Sequence, residues 1–234
     1  MRLNRPLTLA SIWLERYGLS AVFFYMALRH YLLLTTRTGD EFELIVTYPL
    51  LEIFRQITWI QLYVLTGFML LIGRRVTVPP QGIKDLSIPL ITTFFYLIYE
   101  ATPLFPPVMK SYLCPAPWYP VCLATGLFLN LVGFCISIWA ALWLGRSFAI
   151  LIEVKKVVTE GAYRWMRHPI YFGYIFLLAG FALANFNLIY FILIPIQIAL
   201  VVYRAQLEEK RLAESSVEYR EYQKRTGFIF PKLF

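Results

Sequence analysis

The chain has 234 residues, 59% hydrophobic and 15% charged, with a formal net charge of +8. Soluble domains carry roughly 45–50% apolar and about 25% charged residues, so this apolar excess is more than one core can bury beneath a polar surface. That excludes an ordinary soluble domain, and with it the nucleic-acid partner that a basic soluble chain would suggest; the bilayer is the solvent that fits.

A spanning helix needs about 20 predominantly apolar residues. The first such run, Ser11 to Leu34, is too long for a signal peptide and lacks a small-residue cleavage site. Arg29 and His30 near its end are expected to snorkel. The second runs from Leu44 to Ile72, and Glu52 and Arg55 within it are expected to pair with each other. The third, Leu86 to Phe105, is interrupted by prolines, and Glu100 near its end is given no role. The fourth runs from Pro120 to Leu144. Cys122 and Cys135 there read as packing residues, with a Cys114–Cys122 bridge as the less favoured alternative. After a polar stretch, Gly145 to Pro169, come Ile170–Ala184 and Leu188–Tyr203, joined through Asn185-Phe186-Asn187, a sequence with turn chemistry. The pair predicts a tight helical hairpin with a kink at Pro195. The expected fold is an all-α, polytopic integral membrane protein with six transmembrane helices, the last two forming the hairpin.

Charge sets the orientation. The N-terminus, the second and fourth loops and the tail from Arg204 carry seventeen lysines and arginines; the alternate segments carry two, Arg37 and Lys110. Positive residues accumulate in short cytoplasmic loops, so both termini and the fourth loop are expected in the cytoplasm. Trp13, Tyr17, Trp118, Tyr119 and Trp143 fall near the predicted membrane edges, as an interfacial belt would.

Several chemistries are missing. There is no P-loop, no zinc-binding histidine pair, no glycine-flanked nucleophilic serine and no glycine-rich loop on a parallel sheet. His30 and His168 are the only histidines, so no histidine-rich metal site is expected. The informative stretch runs from Val157 to Gly173, a cationic and aromatic segment that feeds a spanning helix. Pro169 suits a first helical turn. Free N–H groups at that terminus, with donors from Arg167 and His168, would make an anion cradle. A second stretch follows the last span. Arg204 and Glu208 lie four apart and share a helix face, with Glu209 about 100° away. A folded-back hairpin would bring Glu208 near the Arg-His-Pro turn. Tyr219, Tyr222 and Arg225 follow at spacings of three, then Thr226-Gly227-Phe228-Ile229-Phe230-Pro231. Bland readings stand beside these: His168 as a plain helix-start donor, Glu208 and Glu209 as a solvated face, Tyr219 and Tyr222 as interfacial anchors.

In combination, the Gly-x-Tyr-x-x-x-Arg-His-Pro-x-Tyr-x-Gly string at Gly161–Gly173, the Glu208–Glu209 pair, Tyr219-x-x-Tyr222-x-x-Arg225 and the Ile-Phe-Pro end resemble the isoprenylcysteine carboxyl methyltransferase family. Phospholipid methyltransferases share the Arg-His-Pro and Glu-Glu features. The resemblance covers Leu144 to Phe234; the segment before Tyr219 is shorter than the family pattern, with Glu214-Ser215-Ser216 where Phe-Gly is usual. It divides the chain into transmembrane helices over 1–143 and a methyltransferase region over 144–234.

The resemblance implies a cytoplasm-facing site for S-adenosyl-L-methionine, touched by Val157, Val158, Tyr163, His168, Pro169, Ile170, Tyr171 and Glu208. The Arg-His-Pro turn, Arg167 included, is expected to hold the methionine end with Tyr163 and Tyr171, and Arg204, which the resemblance places toward the substrate, is expected to orient an anionic acceptor. The acceptor would be lipid-like or prenylated and would arrive through the bilayer among membrane lipids. A carboxylate acceptor needs no general base, so alignment and charge placement suffice, whereas an amine must lose a proton. Isoprenylcysteine-type carboxyl O-methylation is therefore the leading expectation. Phospholipid N-methylation and an NADPH-dependent sterol-type reductase are the alternatives.

Overall fold

In a computed structural model the described residues are 10, 13–36, 60, 63–73, 80, 82–100, 105–110, 113–152 and 157–232, and every structural statement below concerns these. They form two compact units, Met1–Arg74 and Arg75–Phe234. The Glu52–Arg55 pairing and the 153–156 part of the fourth loop lie outside the described residues.

In the first unit a π-helical turn, Leu14–Leu19, runs into helix α1, Ser20–Thr36. Residues 63–71 are also helical and lie antiparallel to α1. Ser20 Oγ donates to the Gly67 carbonyl at 3.1 Å, Arg16 donates to the Gly73 carbonyl, and the His30 ring lies 5.4 Å from that of Tyr63.

The second unit holds α2 (Ile83–Phe94), α3 (Tyr96–Glu100), α4 (Pro107–Lys110), α5 (Tyr119–Leu144), α6 (Pro169–Asn185), α7 (Leu188–Ser215) and α8 (Val217–Arg225). Two of these helices are long and apolar enough to cross a membrane: α5, extended by a 3₁₀ turn to Ser147, and α7. Helix α6 is a shorter apolar helix. The third apolar run is broken: α2 ends at Phe94 and α3 starts at Tyr96.

Helices α5 and α6 pack through glycines, as helices do where lipid removes the hydrophobic drive and only close approach is left to hold them. Gly126 faces Gly180 and Gly133 faces Gly173; a Cβ at Gly126 would stand 2.7 Å from the Gly180 carbonyl oxygen. The spacing of seven on both helices repeats one small contact two turns further along. Helices α6 and α7 form the expected hairpin. Asn187 caps α7 by accepting from the Tyr190 N–H at 3.2 Å. Helix α7 is continuous through Pro195 and runs past the expected end at Tyr203 to Ser215, because its polar last turns find partners in neighbouring elements.

Two breaks position the site. Pro89 has no N–H, so the Asp85 carbonyl one turn earlier loses its helical donor; it accepts instead from the Ile152 N–H at 3.1 Å. At the other break, Ser216 caps α8 by accepting from the Tyr219 N–H at 3.2 Å. Ser216 thus ends α7 and starts α8, which gives the unusual Glu214-Ser215-Ser216 segment its structural task.

Candidate functional site at the Arg-His-Pro turn

Gly161, at φ +59°, opens a 3₁₀ turn, Gly161–Arg164, with the Trp143 indole where a Cβ would be. Only glycine fits both the left-handed backbone and that contact. The turn seats Ala162 and Tyr163 in a cluster with Ala140, flanked by Leu144, Val158 and Ile170. Burial pushes the Tyr163 phenol above its ordinary pKa, so the hydroxyl stays neutral.

The C-terminal segment lies along the Arg-His-Pro turn. Met166 bridges Gly227 in parallel, and the N–H groups of Arg167 and His168 each donate to the Phe228 carbonyl at 3.1 Å. Helix α8 contributes Tyr219 and Tyr222, each 3% exposed, and the Tyr222 hydroxyl donates to the Tyr163 carbonyl. These two tyrosines are therefore part of the protein interior, which sets aside their reading as interfacial anchors.

Two ion pairs organise the centre. Arg167 grips Glu209 with Nε and with a terminal nitrogen at 3.2 Å, and it donates to the carbonyls of Gln223, at 3.1 Å, and Thr226. Gln223 also donates to Glu209, at 3.2 Å. Arg167 thus joins α6, α7 and α8. Arg204, 8% exposed, donates to Glu208 at 2.9 Å, to Thr92 and Thr93 at 3.1 Å each, and to the Ile150 carbonyl at 2.6 Å. Its guanidinium also lies 5.6 Å from the centre of the Tyr171 ring. Glu208 accepts a further hydrogen bond from the Tyr171 hydroxyl at 2.6 Å.

His168 caps α6 from the residue before Pro169. Its ring stacks on Tyr171 at 5.3 Å and meets Phe228 edge-on at 5.2 Å. Nδ1 is 3.8 Å from a Glu208 oxygen. Nε2 is buried without a hydrogen-bond partner, although a Glu209 oxygen lies 3.4 Å away. The Glu209 contact is long and poorly aligned for a hydrogen bond, so a ligand group placed at Nε2 could make a better one. Thus Tyr163, Arg167, His168, Tyr171, Arg204 and Glu208 gather around one point where α6, α7 and the C-terminal segment meet. Pro169 and Ile170 form the first turn of α6, and Val158 packs on the Tyr163 cluster. Thr92, Thr93, Ile150 and Gln223, which with Thr226 hold the two arginines, were not singled out in the sequence; a Thr-Thr pair one turn after a helical proline is the faint signal that was there.

This arrangement lies largely within residues 121–216, which match the family model for phospholipid methyltransferases. The chain carries a phospholipid methyltransferase domain. It is thereby an S-adenosylmethionine-dependent membrane enzyme acting on a lipid-type acceptor, which displaces the NADPH reductase alternative. No curated protein matches the chain. The residues gathered here fit S-adenosylmethionine on two observations: His168 Nε2, buried with only a long contact to Glu209, and Glu208, whose side chain is more open than that of Glu209, 23% against 15% exposed.

Proposed function

We propose that the enzyme methylates the polar head of a lipid acceptor at the cytoplasmic membrane edge, with 144–234 as the methyltransferase region. When bound, S-adenosylmethionine supplies a methyl group on a sulfonium centre, an electrophilic carbon that needs only an aligned nucleophile. Val157, Val158, Tyr163, His168, Pro169, Ile170, Tyr171 and Glu208 would hold it. His168 Nε2 would hydrogen-bond one of its polar groups, and Glu208 would accept from another.

The arginines bear on the acceptor. A carboxylate acceptor requires Arg204 to give up one of four hydrogen-bond partners, and Arg167 is equally committed. That commitment favours an amine head group, hence phospholipid N-methylation, with Glu208 as the carboxylate placed to take the ammonium proton. Arg167 and Arg204 then act as positioning residues. The second reading, isoprenylcysteine-type O-methylation, is supported by the Tyr219-x-x-Tyr222-x-x-Arg225 and Ile-Phe-Pro features. Radiolabelled methyl transfer to phosphatidylethanolamine vesicles or to a prenylated cysteine separates the two.

The topology proposed with this function has six spans and both termini in the cytoplasm, on the lysine and arginine distribution. A C-terminal reporter active only outside the cell would overturn it. The site itself is tested by calorimetry of S-adenosylmethionine with the wild type and His168→Ala. The variant is expected to bind at least about tenfold more weakly, about 1.4 kcal/mol. Equal affinity would remove His168 from the site, and no binding to either protein would remove the assignment of the cofactor to it.

A further inference from the structure

Far along the chain from the ion pairs, Cys114 and Cys122 bring their sulfurs to 3.1 Å. A disulfide needs about 2.05 Å, so a movement of roughly 1 Å would join them. The segment between them is already turned: the Trp118 N–H donates to the Pro115 carbonyl at 2.9 Å, and a 3₁₀ turn, Ala116–Trp118, leads into α5. Cys122 lies in the first turn of α5. Beside Cys114, the Leu113 N–H donates to the Phe186 carbonyl at 2.8 Å, at the tip of the α6–α7 hairpin. We propose that Cys114 and Cys122 are a disulfide site, a covalent staple tying the start of α5 to the segment docked on the hairpin tip.

The compartment rests on the topology proposed above, which places this loop outside the cytoplasm, where disulfides persist. The oxidant is a disulfide of the thiol oxidoreductase or glutathione class. One cysteine thiolate attacks it, its S–S bond breaks to a mixed disulfide, and the second cysteine displaces the remaining thiol. Two cysteine thiols thus lose two electrons and two protons, and the oxidant is reduced to two thiols.

The test uses the full-length protein in cells quenched with N-ethylmaleimide, so that thiols do not oxidise during lysis. After denaturation and removal of excess reagent, the sample is reduced, treated with polyethylene-glycol maleimide and run on a gel. The chain has three cysteines. A bridged protein takes two tags after reduction and none without it, and Cys114→Ser takes none in either case. Wild type that takes no tags after reduction overturns the proposal. A chain carrying Cys114 alone, treated in intact cells with a membrane-impermeant maleimide, then separates the causes. Labelling means the loop is outside and the bridge alone fails; labelling only after permeabilisation means the topology fails with it. In the purified wild type, reductant is expected to lower the melting midpoint, with no shift in Cys114→Ser.

Discussion

One guanidinium holds four elements together at Arg204. Lysine would keep the charge there but lacks the planar fork, so it cannot reach Thr92, Thr93, the Ile150 carbonyl and Glu208 at once. Arg204→Lys is expected to lower the melting midpoint more than Glu208→Gln does, since the glutamine still accepts from Tyr171, whereas Glu208→Gln, which cannot take a proton, is expected to reduce methyl transfer more. Thermal melts beside initial rates check this. At this scale the sequence was half legible. The four-residue spacing of Arg204 and Glu208 showed that they share a face, because helix geometry fixes it. The threonines that complete the cradle were hidden, since a contact across more than a hundred residues leaves no periodicity. Arg167 was read as a ligand donor for the same reason: its carbonyl partners at Gln223 and Thr226 belong to a segment whose path the sequence does not reveal. Tyr222 adds a pH dependence. Burial, only partly offset by Arg167, pushes its phenol from 10.0 up to about 12. The folded state thus favours the protonated phenol, whose contribution is intact below pH 10 and is lost as pH rises toward 12. Urea melts from pH 8 to 12 should show that decline, and Tyr222→Phe should make it shallower while lowering stability throughout, the rest coming from the other buried phenols, Tyr163 and Tyr219.

Among the elements, the α5–α6 contact is the least forgiving. A Cβ at Gly133 would collide with the Gly173 carbonyl oxygen and stand 2.8 Å from the Leu177 nitrogen. Gly133→Ala should lower stability by about 1–3 kcal/mol, and Gly18→Ala, where a Cβ meets only the Leu14 side chain at an ordinary 3.5 Å, should be near neutral; thermal melts of both separate packing from a general loss of glycine. The hairpin was plain in the sequence because its turn residues interrupt two apolar runs, and Pro169 marked the start of α6. The end of α7 was not, because hydropathy falls at Tyr203 while the helix goes on. What carries it to Ser215 is pairing: Arg211 meets Asp85 at 2.9 Å, Arg204 meets Glu208, and Glu209 meets Arg167. Asp85→Asn should weaken the first of these and fray the end of α7, seen as faster amide exchange around Arg211 with little change near Gly126.

For the molecule as a whole, composition announced the membrane and the motif set announced the chemistry, whereas the junction of α2, α6, α7 and the C-terminal segment emerged only in three dimensions. That junction bears on biogenesis. Arg204 stands where the expected last span meets the cytoplasmic tail, and a charge drawn to the membrane edge without a partner is penalised; Glu208 sits one turn away on the same helix, and Tyr171, which also bonds Glu208, is on the hairpin's other arm. As soon as the hairpin winds, this pair is closed without help from another element. The contacts of Arg204 with Thr92 and Thr93 can therefore form afterwards, when α2 meets a hairpin whose buried arginine is already neutralised.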